Sequence, residues 1–170
     1  MTPEKKSRKA VFGEPRPRRE TSAGFIVFRR SNEGPKFLIL YHGHHYWNFP
    51  KGKIESEEKS LRAAFRETRE ETGLSDSDLR IARDFKVYQK YFFRQSGQPV
   101  FKVVILYLAE TRNPRVRVSS EHQGYGWFSY AEAMRILGRY KGNQKILKQA
   151  YDYIHQSADN RGYGRGFTRK

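Results

Sequence analysis

The 170-residue chain contains no cysteine, so it has neither a disulfide framework nor a thiolate metal site, and its redox compartment stays open. Nor does any apolar run approach the ~18 residues of a membrane span. The N-terminal MTPEKKSRKA is charged, with no apolar stretch after it, and the expectation is a cytoplasmic protein with no membrane partner. Acid is scarce as well. Against 34 Lys plus Arg stand 18 Asp plus Glu, a net charge of +16 and a pI near 10.2. Such a balance favours polyanions, whether nucleotides, RNA or acidic membranes, without choosing among them. What remains is 36% apolar and 15% aromatic with a mean hydropathy of −0.90, enough for one monomeric domain with a real core and polar ends.

The ends separate by composition. Residues 1–21 carry Lys5, Lys6, Arg8, Lys9, Arg16, Arg18 and Arg19 with three prolines and few apolar groups, and read as a basic arm unable to order itself. Residues 157–170, SADNRGYGRGFTRK, read as a flexible Arg/Gly-rich tail, resembling segments that contact RNA by charge and stacking. The folded domain is expected over 22–156. Within it, AGFIVFRR (23–30) and KFLILYH (36–42) flank a turn-forming SNEGP, and DFKVYQKYFF (84–93) and VFKVVILYLAE (100–110) flank RQSGQP. Both pairs are expected to be hairpins, the last run a central strand buried on both faces. YGWF (125–128) is expected as a short strand before a helix over 129–137 capped by Ser129. A last helix is expected over 143–154, with Asn143 as its cap and Ile146, Leu147, Ala150 and Ile154 as its buried stripe. Hairpins with interspersed helices predict an α+β or α/β sandwich around a mixed sheet.

One segment runs against the basic background. SEEKSLRAAFRETREETG places Leu61, Ala64, Phe65 and Thr68 on one face of a helix, with Gly73 as its terminator. Glu67, Glu70 and Glu71 fall at i, i+3 and i+4, and their carboxylates share one flank, read as exposed. Like charges so spaced repel, and two of them lie where the helix dipole disfavours anions. Arg66 and Arg69 could neutralise the cluster; alternatively a hard cation such as Mg2+ or Mn2+ turns the repulsion into ligation.

Gly52, five residues, Glu58, seven residues, then Arg66-Glu67-Thr68-Arg69-Glu70-Glu71-Thr72-Gly73-Leu74 resembles a full Nudix box, the loop-helix-loop signature of hydrolases acting on a nucleoside diphosphate linked to another moiety. Thr68 stands where that pattern prefers a bulky aliphatic. Trp47, Pro50, Lys51 and Gly52 ahead of the box, and Glu121, His122 and Gln123 between the last strands, are similar to the asymmetrical diadenosine tetraphosphate hydrolase branch. RNA 5′-pyrophosphohydrolases and diphosphoinositol polyphosphate hydrolases share parts of the layout.

The resemblance implies an α/β/α sandwich and Mg2+- or Mn2+-dependent hydrolysis of a nucleoside polyphosphate, with diadenosine tetraphosphate, giving ATP and AMP, the leading substrate. It implies Glu67, Glu70 and Glu71 as metal ligands, the Gly52 carbonyl as a further donor, and Glu121 as either another ligand or the general base. Glu58 and Arg66 are expected to be an ion pair fixing helix and loop. Lys51 is a candidate phosphate contact, Tyr91 a candidate stacking platform for a base, and Trp47 a further substrate candidate. In HGHHY (42–46) the histidines lack a carboxylate at a zinc spacing, and His45 is read as a phosphate-side donor or loop surface. Removal of pyrophosphate from RNA 5′ ends is the second reading, with RNA contact through the basic termini, and a nucleic-acid or ribosome-associated binding module is the third.

Overall fold

The computed structural model describes residues 16–163, with side chains through residue 158. Four strands open the fold, β1 (Arg18–Ser31), β2 (Gly34–Tyr41), β3 (Trp47–Asn48) and β4 (Lys51–Lys53). Helix α1 (Ser60–Thr72) follows, then the long β5 (Leu79–Gln95) and β6 (Gln98–Thr111), β7 (Gly124–Ser129), α2 (Tyr130–Ile136) and α3 (Lys141–Tyr163). The sheet runs β3-β2-β1-β6-β5, with β4 added to β1 and β7 to β2. Only β1 and β6 are parallel; both expected hairpins form, in the registers Phe28↔Phe37 and Phe92↔Phe101.

Alternation along β1 builds two cores. Ala23, Phe25 and Val27 face α1 with Leu38, Leu40, Ala63 and Ala64, whereas Ile26 and Phe28 face α2 and α3 with Ile39, Leu106, Ala133, Leu147 and Ala150. The result is the expected three-layer sandwich, with helices on both faces of a mixed sheet. Strand β6 is buried on both faces over Leu106–Ala109, whereas in its first half only Val100 and Val104 are buried and their neighbours stay partly open.

Three boundaries differ from the sequence reading. β1 begins at Arg18, inside the segment assigned to the arm, because Arg18–Phe28 pairs with Val100–Glu110 and Glu20 takes an ion pair from Lys102 at 3.1 Å. Helix α3 starts at Lys141, and Asn143 is not its cap: it is buried and donates through Nδ2 to Asn48 Oδ1 at 3.3 Å. The same helix continues to Tyr163, across the first half of the segment read as a tail; residues 1–15 and 164–170 lie outside the described residues. Ser129 caps α2 as expected, accepting from the Glu132 N–H while the Glu132 carboxylate accepts from the Ser129 N–H at 2.8 Å. Among the described residues no helix is long and apolar enough to cross a membrane.

Candidate active site

The site is assembled where β4 lies against β1. Gly24 permits that approach, since a Cβ there would stand 2.0 Å from the Pro50 carbonyl oxygen. Directly across the register, Gly52 pairs with Ala23, and a Cβ on Gly52 would fall 1.9 Å from the Glu67 carboxylate. Glycine at 52 thus lets α1 seat a carboxylate on the strand backbone. The helix is held by Ala63, Ala64, Thr68 and Thr72 beneath it and by Phe65 packing edge-on to Phe25 at 5.0 Å. It ends at Gly73, whose φ of 72° carries its N–H back to the Arg69 carbonyl at 2.9 Å. Thr68 is fully buried, so the smaller side chain at this box position fills its place in the packed face.

The three glutamates are not equivalent, which corrects the reading of one exposed flank. Glu70 is exposed, Glu67 is half-buried, and Glu71 is 8% exposed. Position 71 follows Thr68 and Thr72 around the helix, onto its inner side. There Glu71 Oε2 accepts the Lys51 backbone N–H at 2.9 Å, and Oε1 lies 3.6 Å from His122 Nε2. Arg66 forms the expected pair with Glu58, through Nε at 2.9 Å and Nη2 at 2.8 Å. It also donates to the Lys53 carbonyl at 3.0 Å and to Glu67 at 2.7 Å, and reaches Glu70 at 3.3 Å. A single guanidinium thereby ties the loop at both ends to the helix.

Lys51, Gly52, Glu67, Glu70, Glu71 and Glu121 line one polar cleft of about 470 Å3, with Ser119 and Ser120 on its far wall. As they lie, no three acidic or histidine side chains among the described residues are close enough to form a metal site, because Arg66 holds Glu67 and Glu70 and the Lys51 N–H holds Glu71. The electrostatics nevertheless suit a cation. Burial pushes the Glu71 carboxyl up to about 8, with Glu67 and Glu121 adding to the rise and Lys51 opposing it. Burial also raises Glu67, offset by Arg66. Carboxylates withdrawn from water without full neutralisation are hard oxygen donors lacking a hard cation. The set of Glu67, Glu70, Glu71, Glu121 and the Gly52 carbonyl fits Mg2+ or Mn2+.

Beneath this cleft lie His42, from the HGHHY loop whose histidines read from sequence as phosphate-side donors or loop surface, and His122, from the Glu-His-Gln match; neither is expected from sequence to pack under the carboxylates. His42 and His122 meet edge to face at 4.4 Å, and their Nε2 atoms are buried with no hydrogen-bond partner. Burial first, then His122 and Lys51, drives His42 down to about 4; burial likewise lowers His122. Both rings are neutral at pH 7, and Ser119 Oγ sets His122 through Nδ1 at 3.0 Å. The Lys51 ammonium is lowered by burial against the pull of Glu71 and Glu67.

Two substrate candidates stand elsewhere. Trp47 packs on Tyr41 at 4.7 Å and edge-on to Phe128 at 5.5 Å, beside the core rather than in the cleft. His45 is exposed in a turn with φ of 60°, its N–H 3.4 Å from the Tyr41 hydroxyl. Tyr91 is 39% exposed; burial first, then Tyr46, Glu20 and Tyr140, raises its phenol, and Tyr46 and Tyr140 pack edge to face at 5.3 Å. Tyr46 and Tyr140 are thus aromatic neighbours that Tyr91 could not announce from sequence.

Comparison with known proteins agrees with this geometry. The NUDIX domain model matches residues 18–150. Bis(5′-nucleosyl)-tetraphosphatase [asymmetrical] of Mus musculus is 36% identical over 143 residues, covering 78% of this chain and 94% of its own. An RNA pyrophosphohydrolase of Hydrogenovibrio crunogenus is 30% identical over 117 residues, covering 61% and 70%. Among solved structures, a binary complex of Caenorhabditis elegans Ap4A hydrolase superimposes with a TM-score of 0.71 at 29% identity, covering 81% of this chain and 98% of that one. Since the family match takes in every strand of the sheet and the whole loop-helix-loop segment, the chain belongs to the Nudix family of hydrolases.

Proposed function

We propose that the chain hydrolyses a dinucleoside polyphosphate, with diadenosine tetraphosphate giving ATP and AMP as the leading case. The observation that carries this reading is the seating of the Glu67 carboxylate on Gly52, with buried Glu71 held beside it by the Lys51 N–H, in a cleft that also receives Glu121. When bound there, Mg2+ or Mn2+ supplies Lewis acidity, lowering the pKa of water and neutralising phosphate oxygens. The protein's own groups do the rest. Lys51 holds a non-reacting phosphate as a point charge. Glu121, at the exposed rim of the cleft, takes the proton of the attacking water. The water oxygen becomes bonded to phosphorus, the bridging P–O bond breaks, and the bridging oxygen leaves on the departing nucleotide. Tyr91, beside Tyr46 and Tyr140, offers a base a stacking surface worth ~1–3 kcal/mol. No covalent enzyme intermediate is required.

Similarity to RNA pyrophosphohydrolases at 30% identity and the net charge of +16 support a second reading, removal of pyrophosphate from RNA 5′ ends. Incubation with Mg2+ and, separately, diadenosine tetraphosphate and a 5′-triphosphorylated RNA tests both. ATP plus AMP supports the first reading and released pyrophosphate the second. No product from either substrate refutes both.

A further inference from the structure

The outer half of the β5–β6 hairpin presents a face that the cleft does not use. Tyr88, Lys90, Phe92 and Arg94 alternate onto one side of β5, away from Tyr91. Tyr88 is 54% and Phe92 68% exposed, large apolar areas to leave in water unless something covers them. They do not stand alone. Phe92 lies against Phe101 at 4.8 Å, and the Arg19 guanidinium sits 5.7 Å over the Phe101 ring. The Lys86 ammonium bridges the rings of Tyr88 and Tyr107 at 5.4 and 5.5 Å. Between Asp84 and Glu110 there is no acidic residue, while Lys86, Lys90, Arg94 and Lys102 all fall in that stretch. Glu20, the acid nearest in register, points to the other side with Lys102.

We propose that this face is a stacking surface for single-stranded RNA. Exposed rings interleaved with cations that form no ion pair with a carboxylate among the described residues, Arg19, Lys86, Lys90 and Arg94, suit a strand whose bases stack and whose phosphates are neutralised. A second copy of the chain fits poorly, because it would set one basic face against another in a molecule of net charge +16. Register connects the surface to the cleft: Gly52 pairs with Ala23, Ala23 with Ile105, and Ile105 with Tyr88. That row crosses three strand spacings, about 14 Å, so the 5′ end of a strand lying on the ridge is within a few nucleotides of the carboxylates. A pyrophosphate bridge at a 5′ end is a feature of RNA rather than DNA. The choice of RNA therefore rests on the second reading of the cleft, whereas the stacking surface does not.

Fluorescence anisotropy of the full chain with a labelled oligouridylate of about 20 nucleotides, across a salt series and beside an oligothymidylate of equal length, is the test. Tyr88→Ala and Phe92→Ala should each raise Kd about 5-fold or more with the salt slope unchanged, and Phe92→Tyr should restore wild-type binding. Lys86→Gln with Lys90→Gln should lower the slope by about 1.4. Turnover of free diadenosine tetraphosphate should stay at the wild-type level in all of them. Unchanged Kd in both alanine variants overturns the proposal. So does a wild-type dimer, by sedimentation, that Phe92→Ala dissociates without affecting RNA. Equal affinity for both oligonucleotides overturns the choice of RNA and supports the stacking surface. A wild type inactive on both the dinucleotide and a 5′-triphosphorylated RNA refutes the cleft readings while the binding arm still decides the stacking surface.

Discussion

Replacing Glu71 by Gln tests the site through stability and activity at once. In the metal-free protein the carboxyl is raised to about 8 from an ordinary 4.5. A raised folded value means that its contribution is intact below about pH 4.5 and lost as pH climbs towards 8, because the unfolded chain ionises where the folded one cannot. At pH 7 the unfolded carboxyl is some 2.5 pH units past its midpoint, which at about 1.4 kcal/mol per unit gives roughly 3 kcal/mol of destabilisation, less whatever the Lys51 ammonium returns. Glutamine keeps the shape and can still accept the Lys51 N–H, and it carries no charge to desolvate. In EDTA the variant should melt about 5 to 10 °C above wild type at pH 7–8 and nearly with it at pH 5. Adding Mg2+ should stabilise wild type and leave the variant almost unmoved, while turnover falls about 100-fold or more. Differential scanning calorimetry at two pH values, with and without Mg2+, reads all of this. Coincident melting at pH 8 in EDTA would refute the claim that burial holds this carboxyl neutral, and undiminished turnover at saturating Mg2+ would remove it from the ligand set.

Gly52→Ala puts a methyl where the Glu67 carboxylate rests, 1.9 Å away; the far end of one side chain must give. Turnover should collapse while the melting temperature moves by no more than the equivalent of about 1 kcal/mol, measured by Mg2+-dependent assay and circular dichroism. Arg66→Lys cannot reproduce the two-pronged pair with Glu58 or the bond to the Lys53 carbonyl, and urea unfolding should show a loss of about 1–3 kcal/mol. Deleting 1–15 and 164–170 removes four basic against two acidic residues and three basic against none, five of the net sixteen charges. A salt series should show a shallower slope for RNA, and a steady-state assay should find hydrolysis of the free dinucleotide within about 2-fold of wild type. Cutting at residue 20 would instead strip Arg18, Arg19 and Glu20 from β1 and its pairing with β6.

How much of this was legible before the structure depended on the range of the forces involved. The hairpins, the Ser129 cap and the Gly73 stop are decided within a few residues, by turn chemistry and helical spacing, and they stand where the sequence puts them. The parallel pairing of Arg18–Glu20 with Val100–Lys102 joins strands some 80 residues apart, and local composition, rich in arginine and proline, argued for an unstructured arm. Asn143 has a capping side chain, and a buried acceptor on Asn48 claimed it. The same limit governs the site. Spacing brought Glu67, Glu70 and Glu71 to one flank of a helix, yet how that helix is rotated against β4 decides which of them water reaches.

That rotation also explains why a basic protein keeps three acids together. An exposed trio would be satisfied by its counterions and by Arg66 and Arg69. Here Arg69 turns away to Asp76 at 3.6 Å, and Arg66 is spread over Glu58, Glu67 and Glu70. Glu71 is left with a backbone N–H, a half-buried lysine and the neutral imidazole of His122. None of these supplies a full positive charge at hydrogen-bond distance. Ionising Glu71, held neutral by burial in the metal-free protein, therefore calls for a positive charge at the floor of the cleft. A divalent cation arriving with polyphosphate would supply it there, and Lys51 would be released toward the phosphates.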